Sequence, residues 1–185
     1  MTKEFSPDRL DVRAFAQAQA HLEGQDPLSQ YKRLALEAEG PHDDVQIRWA
    51  AQGELRTEPG ALSQTWLHLQ AEVDLPMVCQ RCLTRAFIPV DVDRSFRFVA
   101  DEATAEALDD ESEEDLLALS KDFALRDLIE DELLMELPVV PMHDVCPEAV
   151  PLASSDEDFN QATSEKPNPF AALASLRIAK PKPEA

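Results

Sequence analysis

Three runs of alternating apolar residues constrain the fold more than any other feature of the chain. In Val45-Gln46-Ile47-Arg48-Trp49-Ala50-Ala51 the apolar positions recur at every second residue. From 66 to 75 they do so again, with Leu67, Leu69, Ala71, Val73 and Leu75 in one row. A third run carries Ile88, Val90, Val92, Phe96 and Phe98. Successive side chains of a strand point to opposite faces, so a period of two specifies strands with one buried and one wet face. The turn signal Glu58-Pro59-Gly60 makes the first two an antiparallel hairpin with a wide connection. Arg94 interrupts the buried row of the third run, which predicts a bulge or an edge there.

Helices are expected around this sheet. Ser6-Pro7-Asp8 reads as a helix start, followed by Leu10, Ala14, Phe15 and Ala18, with Gly24 and Asp26-Pro27 as its stop. A second short helix is expected within 29–37, and Gly40-Pro41 breaks the chain. The strongest helical stripe is Leu125, Leu128, Ile129 and Met135, with Asp122 as its cap and Pro138 and Pro141 beyond its end. Glu130, Asp131 and Glu132 are expected on its solvent side. The fold class is therefore α+β, an antiparallel sheet packed by a few helices.

Between these elements the composition shifts. Residues 101–115 are almost all acid and alanine and read as a solvated loop, closed by a helical turn at 116–119. Residues 1–150 are expected to form the α+β domain, 151–166 a disordered acidic linker, and 167–185 a helix and tail. In that last segment Asn168-Pro169 opens a short amphipathic helix carrying Phe170, Leu173 and Leu176. So short a helix is marginal alone in water, which makes Asn168, Pro169, Phe170, Leu173 and Leu176 candidate partner-binding residues.

The charge limits the partners. The chain has 37 acidic and 17 basic side chains, a net charge of -20. Nucleic-acid affinity rests on Lys and Arg neutralising phosphates, so a basic protein or an assembled particle is an easier partner than bare RNA. Solubility alone is the plainer explanation of the same charge. No stretch approaches the roughly 20 apolar residues of a membrane span. No apolar run follows Met1-Thr2-Lys3-Glu4-Phe5, which predicts no secretory signal and a cytoplasmic location.

The chemistry-bearing residues are few. Cys79-Gln80-Arg81-Cys82 is a CxxC pair, and His143-Asp144-Val145-Cys146 offers a His and a Cys at matching spacing. Two such pairs can close on one tetrahedral ion, so Cys79, Cys82, His143 and Cys146 are candidate ligands of a structural zinc. Two other readings stand beside it: thiols that simply pack a core, and a redox pair with a depressed thiolate pKa at Cys79 or Cys82. The redox reading wants the pair at a helix N-terminus, whereas here it lies between strands. With four glycines there is no phosphate-cradling loop, and no serine sits in a nucleophile elbow. Arg81, Arg85, Arg94 and Arg97 form a basic stretch near Phe87. Either they are bridged to the surplus acid, or Arg81, Arg85 and Arg97 contact RNA or protein.

Three blocks, in order, resemble the YceD family, which supports accumulation of large-subunit ribosomal RNA. The first spans 75–90 around Val78-Cys79-Gln80-Arg81-Cys82-Leu83. The second is Asp127-Leu128-Ile129-Glu130-Asp131-Glu132-Leu133-Leu134-Met135-Glu136-Leu137-Pro138, followed by Val139-Val140-Pro141-Met142-His143 and Cys146. The third is Lys166-Pro167-Asn168-Pro169-Phe170-Ala171-Ala172-Leu173-Ala174-Ser175-Leu176. The resemblance implies a bacterial or plastid-type, non-enzymatic role in synthesis, processing or stability of large-subunit ribosomal RNA. It implies binding to a ribosomal protein or a large-subunit precursor, without a membrane. An acidic holdase for a basic ribosomal protein, using 101–115, is the alternative.

Overall fold

The computed structural model describes residues 4–57 and 63–148, together with Phe170. Every regular element among the described residues lies within Met1–Glu148, which clusters as one unit. The linker at 151–166 and, apart from Phe170, the helix and tail at 167–185 lie outside the described residues.

Five strands form one sheet in chain order: β1 (His21–Pro27), β2 (Gln46–Arg56), β3 (Gln64–Val78), β4 (Arg85–Val99) and β5 (Asp115–Ala118). The first four are antiparallel neighbours, and β5 joins β4 in parallel, so the sheet is mixed rather than wholly antiparallel. The four helices are α1 (Val12–Gln17), α2 (Lys32–Glu37), α3 (Glu102–Asp109) and α4 (Leu125–Met135). None is long and apolar enough to cross a membrane. The α+β class stands.

The alternating runs pair as their pattern requires. Leu67 faces Phe96, Ala71 faces Val92, Val73 faces Val90 and Leu75 faces Ile88 across β3 and β4. These rows, with Ile47 and Ala51 of β2, make the floor of the core. Phe15 of α1, Leu34 of α2, and Leu125, Ile129 and Leu133 of α4 close it from one side. Gly53 of β2 lets α1 approach: a Cβ there would stand 2.9 Å from the Ala16 backbone.

Several expectations are corrected. β4 has no bulge at Arg94, whose register with Leu69 is regular. Instead Arg94 turns inward and meets the buried Glu132 of α4 at 3.3 Å. Glu130 is also buried, so the acidic triplet is not a solvent-facing patch. α1 begins at Val12, capped by the Asp11 side chain, because Leu10 is tied by backbone bonds to Phe123. The stretch expected to stop that helix is strand β1. Gly24 is needed there because the Trp49 ring lies 2.5 Å from where a Cβ would sit. The acidic stretch 101–115 is not a plain loop. A parallel pair requires a crossover, and α3 supplies it between β4 and β5. Residues 115–118 form β5 where a helical turn was expected. α4 starts after Ala124, and Asp122 pairs with Arg9 at 2.8 Å instead of capping it.

Two buried carboxylates, Asp26 and Glu130, are fully engaged by donors. The Asp26 carboxylate accepts from Tyr31 Oη at 3.0 Å, Trp49 Nε1 at 2.8 Å and Arg126 Nε at 3.1 Å. Burial pushes Asp26 up, but these donors, Arg126 foremost, hold its pKa below the usual value. Burial and the adjacent Asp26 charge raise the Tyr31 hydroxyl, which stays protonated as a donor. Glu130 Oε1 accepts from the backbone N–H groups of Arg33 (2.7 Å) and Leu34 (3.2 Å), capping α2, which has no side-chain cap of its own.

Candidate metal centre

The connection between β3 and β4 is short. Cys79 donates its N–H to Thr84 O at 2.9 Å, and Leu83 donates to Cys79 O at 2.8 Å. Closing so tight a turn puts Leu83 in the left-handed region at φ 58, where a glycine would be unstrained. The segment following α4 folds back over this turn, and Gln80 N–H donates to Pro141 O at 2.8 Å.

That docking brings the four candidate ligands together. The donor atoms of Cys79, Cys82, His143 and Cys146 all lie within 4.8 Å of one another, the one such His, Cys or acid group among the described residues. Cys79 Sγ is 3.9 Å from Cys146 Sγ, and Cys82 Sγ is 3.4 Å from His143 Nδ1. An ion at the centre of a tetrahedron, with Zn–S about 2.3 Å and Zn–N about 2.0 Å, sets sulfurs about 3.8 Å apart and sulfur and nitrogen about 3.5 Å apart. Both distances agree within about 0.2 Å. The set could hold a metal ion.

The surroundings prepare the ligands. His143 Nε2 lies 3.1 Å from Arg85 O, an arrangement that places the ring proton on Nε2 and frees the Nδ1 lone pair. Cys79 is buried, which pushes its thiol up. The N–H groups of Cys82, His143 and Arg81, with the His143 ring, outweigh this and bring its pKa to about 5. The Thr84 hydroxyl lowers Cys82. Burial raises Cys146, against the pull of Arg81, whose Nε stands 3.1 Å from its sulfur. Hydrogen bonds to the Cys79 and Cys82 sulfurs raise His143. A low thiolate pKa serves a metal ligand as well as a redox nucleophile. Burial of Cys79 in a β-turn, away from any helix N-terminus, favours the ligand role.

The spacing of the cysteines and histidine was readable from sequence; Thr84, the Arg85 carbonyl and the strained Leu83 were not. Leu83, Val139, Val140, Met142 and Val145 are exposed around the ligands, an apolar rim on both loops. Arg81 is committed here, with an NH2 group donating to His143 O at 2.6 Å. Arg85 donates to Pro41 O and lies over the Phe87 ring at 5.0 Å. Arg97 donates to Ser112 Oγ at 2.9 Å. Arg85 and Arg97 stand at opposite ends of β4, about 40 Å apart along the strand, so they form no compact basic patch. Of the candidate partner-binding residues only Phe170 is described, and it is exposed; Asn168, Pro169, Leu173 and Leu176 lie outside the described residues.

The model of the family described as large ribosomal RNA subunit accumulation protein YceD matches residues 67–177. The chain belongs to the YceD family. The match takes in both halves of the metal centre and the C-terminal block. The chain is also similar to the large ribosomal RNA subunit accumulation protein YceD of Haemophilus influenzae. The two are 28% identical over 180 residues, covering 96% of this chain and 99% of that protein. No solved structure matches.

Proposed function

We propose that the protein is a non-enzymatic, cytoplasmic ribosome-biogenesis factor. It supports synthesis, processing or stability of large-subunit ribosomal RNA by binding a ribosomal protein or a precursor particle. The observation that carries this reading is the completeness of the donor set. Three sulfurs and one imidazole with donor atoms within 4.8 Å of one another can fill all four positions of a tetrahedral ion, which favours a structural zinc over a site open to water or substrate. Such an ion locks the β3–β4 turn to the 139–146 loop and presents the apolar rim for contact. The name of the Haemophilus influenzae relative supplies the ribosomal setting.

The test is replacement of the chromosomal copy by Cys79→Ala/Cys146→Ala, with the ratio of large- to small-subunit ribosomal RNA as readout. A lowered ratio is expected, and an unchanged ratio rejects the reading. Residues 167–185 are assigned to partner capture. Their deletion should leave the domain folded but remove co-sedimentation with large-subunit precursors. Direct RNA contact by Arg81, Arg85 and Arg97 is a separate arm: their replacement by Gln should weaken cross-linking to RNA without touching protein capture. In the holdase alternative, neutralising acids in 101–115 alone would suffice to lose the partner.

A further inference from the structure

We propose that the acidic hollow on the outer face of the sheet, lined among the described residues by β1 to β4 alone, receives a lysine- and arginine-rich protein segment. This deepens the reading above by naming the chemistry of the partner, and it rests on that reading for its biological setting.

Helices α1 and α4 lie against the sheet on its core side, and α2 packs on α4. On the other side, β1 to β4 enclose a hollow of about 770 Å³. Ala50, whose side chain is a single methyl, lines it between the longer side chains of Glu23 and Gln70. The carboxylates of Glu23, Glu72, Asp91 and Asp93 line it, against the single guanidinium of Arg48.

The register makes this arrangement costly for the free protein. Glu72 stands directly opposite Asp91 across β3 and β4, and like charges at that spacing repel. Arg48 is spent on Glu72, at 2.5 Å. Asp93 takes one bond from Gln70 at 3.1 Å and has His68 Nε2 at 3.4 Å. Asp91 has no partner among the described residues. The contrast with the core side is direct: there Asp26 and Glu130 are each met by an arginine and further donors. A hollow lined by one sign of charge focuses its field outward. The occupant that complements it carries several cations, long enough to reach the Ala50 floor. Phosphate backbones are repelled by the same carboxylates. These acids do not form a metal cage, since the Cys/His group is the one such cluster among the described residues.

The test measures binding of fluorescein-labelled nona-arginine to the full-length protein by anisotropy at physiological salt. Glu72→Gln/Asp91→Asn/Asp93→Asn should raise Kd at least about tenfold. Glu106→Gln/Asp109→Asn/Asp110→Asn, which removes the same charge from α3 and its end, should change it less than about twofold. Equal weakening by both overturns the proposal, because binding then follows net charge alone. Arg48→Gln keeps every carboxylate and should tighten binding; weaker binding counts against the face. Stronger binding of labelled oligouridine than of nona-arginine by the unmodified chain, or full displacement of the peptide by millimolar magnesium, also overturns it. The assay contains no ribosomal material, so its failure leaves the ribosomal-RNA ratio and precursor experiments to be judged separately.

Discussion

The Asp26 cluster and the cysteine cluster solve one problem in opposite ways. Each gathers polar groups from distant parts of the chain into a buried or half-buried site. At Asp26 the protein supplies both charges: Arg126 answers the carboxylate, and Tyr31 and Trp49 fill its remaining lone pairs. Around Cys79 it supplies mostly one kind of group. Three sulfurs and an imidazole crowd together, with Arg81 the one Lys or Arg among the described residues that reaches a sulfur. The first site is finished by folding. The second is a set of donors that could hold a cation from outside, which would fasten a loop whose apolar residues are exposed. A fold that is complete in one place and conditional in another can lose a working surface without losing its core.

The largest expected effect comes from taking the cation away. Purified protein should carry one zinc per chain by elemental analysis, and Cys79→Ala should carry none. Chelation should speed amide exchange in 79–84 and 139–146 by at least about a hundredfold while leaving α4 protected, because structural zinc contributes folding energy locally. Uniform deprotection would mean the two sites form one cooperative unit.

Next in size is Asp26→Ala, which strands the Trp49 N–H and the Tyr31 hydroxyl and takes from Arg126 one of its two carboxylate partners, Asp8 being the other. Breaking a buried charge pair costs about 3 kcal/mol, read as a lower urea midpoint. Metal content should be unchanged.

Acid separates the sites further. The Cys79 pKa of about 5 lies below that of a free thiol, so its contribution is present above about pH 8.5 and lost as pH falls through 5. Asp26 is lowered from the carboxylate value, so its contribution holds down to about pH 3.9 and is lost below. Protons compete with a metal for these ligands, so a metal indicator should report release at a higher pH than the loss of native circular dichroism. Coincident transitions would break the comparison.

The smallest effect is expected at Glu132. Burial raises its pKa, and Arg94 only partly offsets that. Replacing it with a neutral isostere, Glu132→Gln, should shift stability by less than about 1 kcal/mol near neutral pH, with either sign. A loss as large as that of Asp26→Ala would show the Arg94 pair to be a true keystone.

What could be read from sequence divides along the same line. β2, β3 and β4 were legible because each buries a full apolar row. β1 was not: its sequence His-Leu-Glu-Gly-Gln-Asp-Pro has no such row, and its place is set by pairing with β2. α3 and β5 were hidden by acid, which reads as solvated chain until a parallel strand needs its crossover. The candidate ligands were legible because a tetrahedral ion would impose close spacing within each pair. Asp26 was read as part of a helix stop, since its partners lie 5, 23 and 100 residues away and no local pattern announces them. Arg94 looked like a defect in its strand because Glu132, which it meets, belongs to a helix far along the chain.

The cap that Glu130 places on α2 has a consequence in time. The bond from Arg33 N–H spans 97 residues, so the N-terminus of α2 lacks this cap while it is being synthesised. At about 5–20 residues per second, roughly 5–20 s pass before α4 exists to hold it. The nascent N-terminal third must wait, unfinished, for the arrival of a helix made near the end of the domain.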